Sequence, residues 1–533
     1  MFCEECGAEL EPGVRFCENC GTPVPEENQT QVSNSHDSDG FSFCDFSDSN
    51  WASNYKSYSQ KGSGEKGIIV TRLNALCDQL SCSKDSLLEI IKSYSAYCAL
   101  HGVDYSFLDM ENQRVVSASS GSVENVTDAI KKIQAVFKAK YLFILGNENI
   151  IRVSEWKNES YDSDQTVTSD LSYQTLNLVS PWDGHNYVFA DVIRVGRLPS
   201  YHGESIEQFT SYFKNVMNAK GSFSNLTTYG LSAKVWKNES DYEYKSLGSS
   251  PTDSAPTVTI NTVDNRISPQ TNILFFNLHG SENTKFWYGQ EGDVYPEAFE
   301  PKNINTINNP FFLGVEACYG AKFTGNQSEE DSIVIKAMQN GCVAFLGSSK
   351  IAYGTSNPPG CCADLVIGEF LKQIMKGKSA GDAHVLGLKR LVEETENFDD
   401  AEIKTFAEFG LFGDPAQSIN FGSEKNNKSA DNSKSFFGKN IDTVSQRLHV
   451  NIPDIRTAIK MRLVQVDEKI NTLINEYTYQ KYAAVRGIKP ATYKIEGRDM
   501  YQSIYQNPDS KICKTVKIYY DKNGKIKKEL ESK

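Results

Sequence analysis

Between about residues 67 and 422 the chain alternates short apolar runs with longer segments in which apolar residues recur every three or four positions. "KGIIVTRL" is followed by "SKDSLLEIIKSYSAYCALHG", and "VENVTDAIKKIQAVFKAK" runs into "YLFILGN". Later "SIEQFTSYFKNVMN" precedes "TTYGLSAKVW", and "SIVIKAMQNG" precedes "CVAFLGSS". Helical periodicity feeding β-rich runs predicts an α/β unit, a mostly parallel sheet flanked by helices. On either side the pattern changes. Residues 1–25 form a compact cysteine unit, and residues 26–66, rich in Ser, Asn, Asp and Gly, read as a flexible linker. A second polar linker, 423–436, separates off a small α+β module at 437–533. In that module Pro453 would open a long helix running through "DIRTAIKMRLVQVDEKINTLINEYTYQKYAAV", and "TVKIYYDKNGKIKKEL" carries the Asn-Gly turn of a hairpin.

Composition narrows the classes. A chain of 533 residues with 39% hydrophobic and 23% charged positions has material for more than one core. A net charge of −13 argues against nucleic acid as the main partner, since phosphate binding needs clustered Lys and Arg. No apolar run approaches the roughly 20 residues that cross a bilayer, so no membrane partner is expected. The opening "MFCEECGAEL" has neither the basic nor the apolar region of a secretory signal, and the expected location is cytoplasmic. Thirteen scattered cysteines do not make a disulfide scaffold, and most should be reduced thiols.

Four of those cysteines are different. Cys3, Cys6, Cys17 and Cys20 form two C-x2-C-G pairs. Four thiolates at that spacing suit the tetrahedral coordination of Zn2+, and the ion would supply most of the folding free energy of so short a segment. Redox-active CxxC pairs are the alternative, but no thioredoxin-like βαβ context surrounds them. The unit resembles the short zinc ribbon found at the N-terminus of many bacterial proteins. Five Glu against one Arg within residues 1–25 favour a protein-docking or regulatory role over nucleic acid. Four ligands also close the site, so this zinc is structural.

Catalytic chemistry is suggested by two apolar runs that stop at a reactive side chain. "TNILFFNLHG" ends on His279, and "NNPFFLGVEAC" ends on Cys318. In parallel sheets, sites gather beyond the carboxyl ends of strands. There a thiol could be the nucleophile and an imidazole its proton acceptor, with the N–H groups of Gly280 and Cys318 holding an oxyanion. Taken singly, a buried cysteine and a loop histidine are ordinary; the pair is more specific. The pattern resembles the gingipain-type family of cysteine peptidases, within the caspase-like peptidases of clan CD. "LHGSENTKFWYG" is similar to that family's His-Gly-Ser block, "VEACYGAKF" to its Ala-Cys block, and "LFGDPAQSI" to its closing Gly-Asp-Pro sequence. The resemblance covers about 67–422 and implies a caspase-like sheet, with Cys318 as nucleophile and His279 as general base and acid. Leu278 departs from the glycine frequent there in the family.

The resemblance also points to a basic P1 residue. Glu316, two positions before the nucleophile, and Asp241, within "NESD", are candidate carboxylates for that pocket, with Ser348, Ser349 and Tyr353 as candidate walls. Glu316 as an internal ion-pair partner and "NESDYEYK" as a solvated acidic loop remain open alternatives. A calcium site is allowed by family analogy only, since no compact loop of ligands supports one. Asp382 in "SAGDAH" reads as a helix cap or first-turn acid, and Cys361 and Cys362 as loop residues near the site. The leading expectation is a cysteine endopeptidase acting on protein or peptide after Arg or Lys, with a protein partner for the zinc ribbon or the C-terminal module. Self-cleavage at linker lysines such as Lys66 or Lys434 would follow. The rival is a catalytically silent caspase-like scaffold for protein binding.

Overall fold

The computed structural model describes residues 42–43, 64–111, 121–135, 138–176, 181, 186–187, 192–219, 222–325, 327–395, 398–421, 450–451, 461–495, 497–508, 512 and 514–533. The four zinc-ribbon cysteines and most of both linkers lie outside them.

Among the described residues the largest of five sheets has eleven strands in two parallel halves. The first half runs Ser42–Phe43, Val103–Asp109, Glu65–Thr71, Tyr141–Leu145, Arg194–Leu198, Phe409–Gly413. The second continues Cys342–Ser348, Phe311–Val315, Ile273–Asn277, Thr228–Ala233, Asp253–Ala255. The step between Phe409–Gly413 and Cys342–Ser348 is antiparallel, so the two halves point opposite ways. Ile273–Asn277 and Phe311–Val315 are buried along their whole length, as expected where helices cover both faces. Helices form where the apolar period is 3.6, and their starts are set by side-chain oxygens. Ser83, Ser122, Ser205 and Ser379 each accept a hydrogen bond from a first-turn N–H, and Ser205 is half of a capping box with Gln208. Asp382 lies in the first turn of Ala380–Glu394, where it pairs with Arg194 and Lys140. None of the described helices is long and apolar enough to cross a membrane.

Two sequence expectations change. The linker stops earlier than residue 66: Lys66 lies in the strand Glu65–Thr71 and pairs with Asp104, which leaves no loose chain there for a protease to grip. The start of the long helix expected from Pro453 lies outside the described residues, and over 461–467 the chain is not helical. Met461–Leu463 is a strand and the helix is Glu468–Lys481, begun by Asp467, whose carboxylate accepts from the Lys469 N–H. Asp467 offers a side-chain cap that none of residues 461–466 can offer.

The C-terminal module is joined to the main unit by a shared sheet. Its strands Met461–Leu463, Ala491–Ile495, Met500–Asn507, Lys514–Asp521 and Ile526–Ser532 are antiparallel, and the last of them pairs with Tyr353–Gly354. Asn523 and Gly524 make the tight turn before Ile526–Ser532, with Gly524 at φ 77°. Two lysines fasten the module: buried Lys517 lies 2.6 Å from Asp400, and half-buried Lys528 lies 2.9 Å from Asp399 and 2.6 Å from Glu402.

Candidate active site

Phe276 and Val315 are register partners on neighbouring parallel strands, and three residues beyond each come His279 and Cys318. The two segments leave the sheet side by side. A Cβ on Gly280 would lie 1.7 Å from the Cys318 carbonyl oxygen, so only glycine permits this approach. His279 continues into a bridge with Tyr288, each N–H donating to the other's carbonyl at 2.9 and 2.8 Å. That bridge returns the chain so that Gln290 meets the imidazole.

The Gln290 side chain fixes the tautomer. Its Nε2 donates to the Gly292 carbonyl at 2.9 Å, so its Oε1 is the atom 2.7 Å from His279 Nε2 and must accept a proton from it. His279 Nδ1 therefore carries the lone pair, and it has no hydrogen-bond partner although the residue is fully buried. Burial first, then the Lys514 ammonium, holds the imidazole well below its ordinary pKa, so it is neutral and able to accept a proton. Trp236 packs against the ring at 4.2 Å between centroids, and Tyr295 meets its edge. The Cys318 thiol is buried too and donates to the Ala352 carbonyl at 3.5 Å. Burial pushes its pKa up, which disfavours a preformed thiolate.

Gln290→Ala should lower kcat about 10- to 100-fold with KM nearly unchanged, because an imidazolium formed at His279 would lose its acceptor. The Gln290 bond is the interaction that raises the His279 pKa, so the acid limb of kcat/KM, already below pH 6.5, should move further down. A pH–rate profile of the variant checks both.

Lys533 fills the space beside this pair. Its carbonyl oxygen accepts from the Cys318 N–H at 3.1 Å and the Gly280 N–H at 3.4 Å, and its own N–H donates to the Ala352 carbonyl at 3.0 Å. Its ammonium enters a buried nest of three carboxylates, Glu239, Glu316 and Asp364, whose oxygens lie within 4.8 Å of one another. The ammonium is 2.8 Å from Asp364, 3.4 Å from Glu316 and 4.4 Å from the Trp236 ring centroid. Burial, then mutual repulsion with Asp364, drives Glu316 and Glu239 well above the usual carboxylate range. Burial opposes the lysine charge, yet the three carboxylates still hold Lys533 above its ordinary pKa. Gly354 forms one wall: a Cβ there would be 2.0 Å from Lys533 Cε. Across Cys318 an open depression of about 320 Å³ is lined by Ser281, Phe286, Trp287, Tyr319 and Gly320.

The structure thus brings His279, Gly280, Glu316 and Cys318 to one place. It leaves other candidates outside. Asp241 is engaged by Lys237 at 2.9 Å and by the Thr252 N–H at 2.8 Å. The acid of that segment that reaches the nest is Glu239, two positions earlier on the helix Lys237–Lys245. Ser348 Oγ donates to the Lys350 carbonyl and Ser349 Oγ to the Thr168 carbonyl, so neither lines the lysine pocket. Tyr353 contributes its backbone, by pairing with Ser532; its hydroxyl donates to Asp162. Asp162 and Asp164 also hold the Lys404 ammonium, each at 2.6 Å, and Asp164 accepts from Tyr319. Cys361 and Cys362 precede the helix Ala363–Met375, with the Cys362 thiol 3.4 Å from Glu402. Sequence reasoning missed Glu239, Asp364, Trp236, Gly354 and Gln290. Glu239 stood inside the "NESD" segment and Gln290 next to the "FWYG" of the histidine block, but no spacing singled out any of the five.

Comparison with known proteins gives two family matches. The sequence model for peptidase family C25 matches residues 76–420, and the model for a zinc-ribbon domain matches residues 2–24. No curated protein matches the chain. Among solved structures, the Arg-specific cysteine proteinase gingipain R is similar at 14% identity and TM-score 0.47, over 67% of this chain and 78% of that one. A structure described as a protease is similar at 10% identity and TM-score 0.44, over 88% of this chain and 98% of that one. The separase–securin complex of Saccharomyces cerevisiae is similar at 12% identity and TM-score 0.29, and the match spans 54% of this chain but 16% of that one.

Proposed function

The chain belongs to peptidase family C25 and is a cysteine peptidase, and from that premise we propose that it is an endopeptidase that cuts after lysine with Cys318 and His279 as a dyad. The observation that carries the reading is Lys533, whose carbonyl oxygen meets two N–H donors while its ammonium pairs with Asp364 and Glu316, with Glu239 closing the same buried nest. A peptide bound the same way presents its P1 carbonyl carbon to the Cys318 sulfur. His279 Nδ1 takes the thiol proton as sulfur attacks, and the Gly280 and Cys318 N–H groups stabilise the oxyanion. The imidazolium then protonates the leaving amine, the amide bond breaks, and the acyl-enzyme is hydrolysed by water activated by the same base. The depression across Cys318 offers room for the leaving side. A buried site that sets Asp364 and Glu316 against one ammonium favours Lys, and its acid groups also admit Arg.

Residues 2–24 would hold one structural zinc through Cys3, Cys6, Cys17 and Cys20 and serve as a protein-docking module. The donor set of four thiolates suits that ion, and no hydrolytic step runs through it. No calcium is invoked: the acids of the 158–164 loop are held by Lys404 and the carboxylate nest by Lys533.

The test is labelling of the full chain by acyloxymethyl ketone peptides with Lys, Arg or Asp at P1, read by intact mass and peptide mapping. Lys is expected to label at least about 10-fold faster than Asp, with the adduct on Cys318. Faster labelling by Asp would overturn the specificity, and an adduct on another cysteine would overturn the nucleophile.

A further inference from the structure

We propose that residues 526–533 are a substrate-like arm that the C-terminal module keeps in the catalytic cleft, inhibiting the enzyme until the arm is withdrawn; this rests on the lysine-directed peptidase reading above. Each part of the arm occupies a position that a substrate would need. The strand Ile526–Ser532 adds antiparallel to Tyr353–Gly354, with Ser532 opposite Tyr353 and Glu531 opposite Gly354. This is strand addition to a sheet edge, in which main-chain pairing gives affinity and alternate side chains give selectivity. Lys533 extends the pairing through its N–H to Ala352 and ends with its carbonyl oxygen on the Cys318 and Gly280 N–H groups. Its side chain is fully buried in the carboxylate nest.

The residues behind Lys533 are held as well. Glu531 accepts from Trp236 Nε1 at 2.7 Å and pairs with Lys514 at 2.7 Å, so the indole that packs against His279 is tied to the arm. Leu530 packs in a buried cluster with Ile351, Tyr353, Tyr519 and Cys318 itself. The arm cannot drift from the cleft on its own, because its neighbouring strand is anchored by Lys517 on Asp400 and the arm itself by Lys528 on Asp399 and Glu402. An incoming peptide must displace a tethered competitor whose effective concentration is of millimolar order. Opening therefore requires the Tyr353–Gly354 pairing to break. A partner that grips the module would promote it.

The experiment compares the full chain with Lys533→Ala and with Lys533→Met, which keeps the side-chain volume. Two readouts are taken: the labelling rate with a P1-Lys acyloxymethyl ketone, and amide hydrogen exchange over 526–532. The expected result is labelling at least about 10-fold faster in both variants, together with faster exchange of the arm. Equal labelling rates in all three proteins would overturn the inhibition while leaving the peptidase reading intact. If none is labelled but the variants lose arm protection, the arm docks in the cleft and the lysine-directed peptidase reading fails. Absence of labelling with unchanged protection overturns both.

Discussion

Cys318→Ala is expected to abolish peptide hydrolysis, a loss on the order of 10⁴- to 10⁶-fold in kcat. No other group in the cleft can replace it. Tyr319 is bonded to Asp164, and Ser281, at the rim, has no base beside it among the described contacts. His279→Ala should cost nearly as much, because the thiol is held above its ordinary pKa and cannot ionise without an acceptor. The double variant should be no worse than either single one, as expected of two residues proposed to act as a dyad. These measurements belong in the Lys533→Ala background as well as the native one, so that loss of chemistry is separated from occupation of the cleft. A His279→Ala loss below 10-fold would show that another group takes the proton.

Gly354→Ala should lower kcat/KM for a P1-Lys substrate by about 10³-fold, equivalent to about 4 kcal/mol of transition-state stabilisation. The added methyl would stand 2.0 Å from the lysine Cε and 2.8 Å from its Nζ, in the middle of the path the side chain takes to Asp364. Gly354 has no left-handed φ, so the backbone tolerates the change and the effect should fall on the pocket. A small P1 residue such as alanine needs none of that space and should lose much less. Kinetics with matched Lys and Ala peptides, alongside thermal unfolding, separate a narrowed pocket from a destabilised protein. Equal losses for both peptides would place the lysine side chain elsewhere.

The strands and helices of the central unit are readable from periodicity because burial is what creates the period. "YLFILGN" becomes Tyr141–Leu145, "SIEQFTSYFKNVMN" becomes Ile206–Asn218, and "CVAFLGSS" becomes Cys342–Ser348. The acids of the lysine pocket show the opposite case. Glu239 and Asp241 look alike in "NESDYEYK", yet on a helix they lie on different faces, and only Glu239 is turned inward with Glu243 one turn on. A carboxylate on a buried face reads in the sequence as solvated charge, since its partner is supplied by a distant part of the chain. The helix predicted from Pro453 erred for a related reason: apolar residues at mixed spacing fit a helix or a strand, and pairing of Met461–Leu463 with Ala491–Ile495 decided for the strand.

What the sequence by itself determined is the local order: alternating strands and helices, two apolar runs closing on His279 and Cys318, a hairpin turn at Asn523-Gly524, and family membership through residues 76–420. These features are encoded within single segments, by side-chain period, turn chemistry and short motifs. Only the tertiary structure decided which groups meet. Glu239, Glu316 and Asp364 are far apart in the chain and join because the end of strand Phe311–Val315 and the first turns of two helices, Lys237–Lys245 and Ala363–Met375, converge. Gln290 reaches His279 through a bridge closed by Tyr288, and Lys533 reaches all of them from the far end of the chain. Contacts between segments so remote leave no spacing in the sequence, because the energy that selects them belongs to packing between elements and not to any one of them.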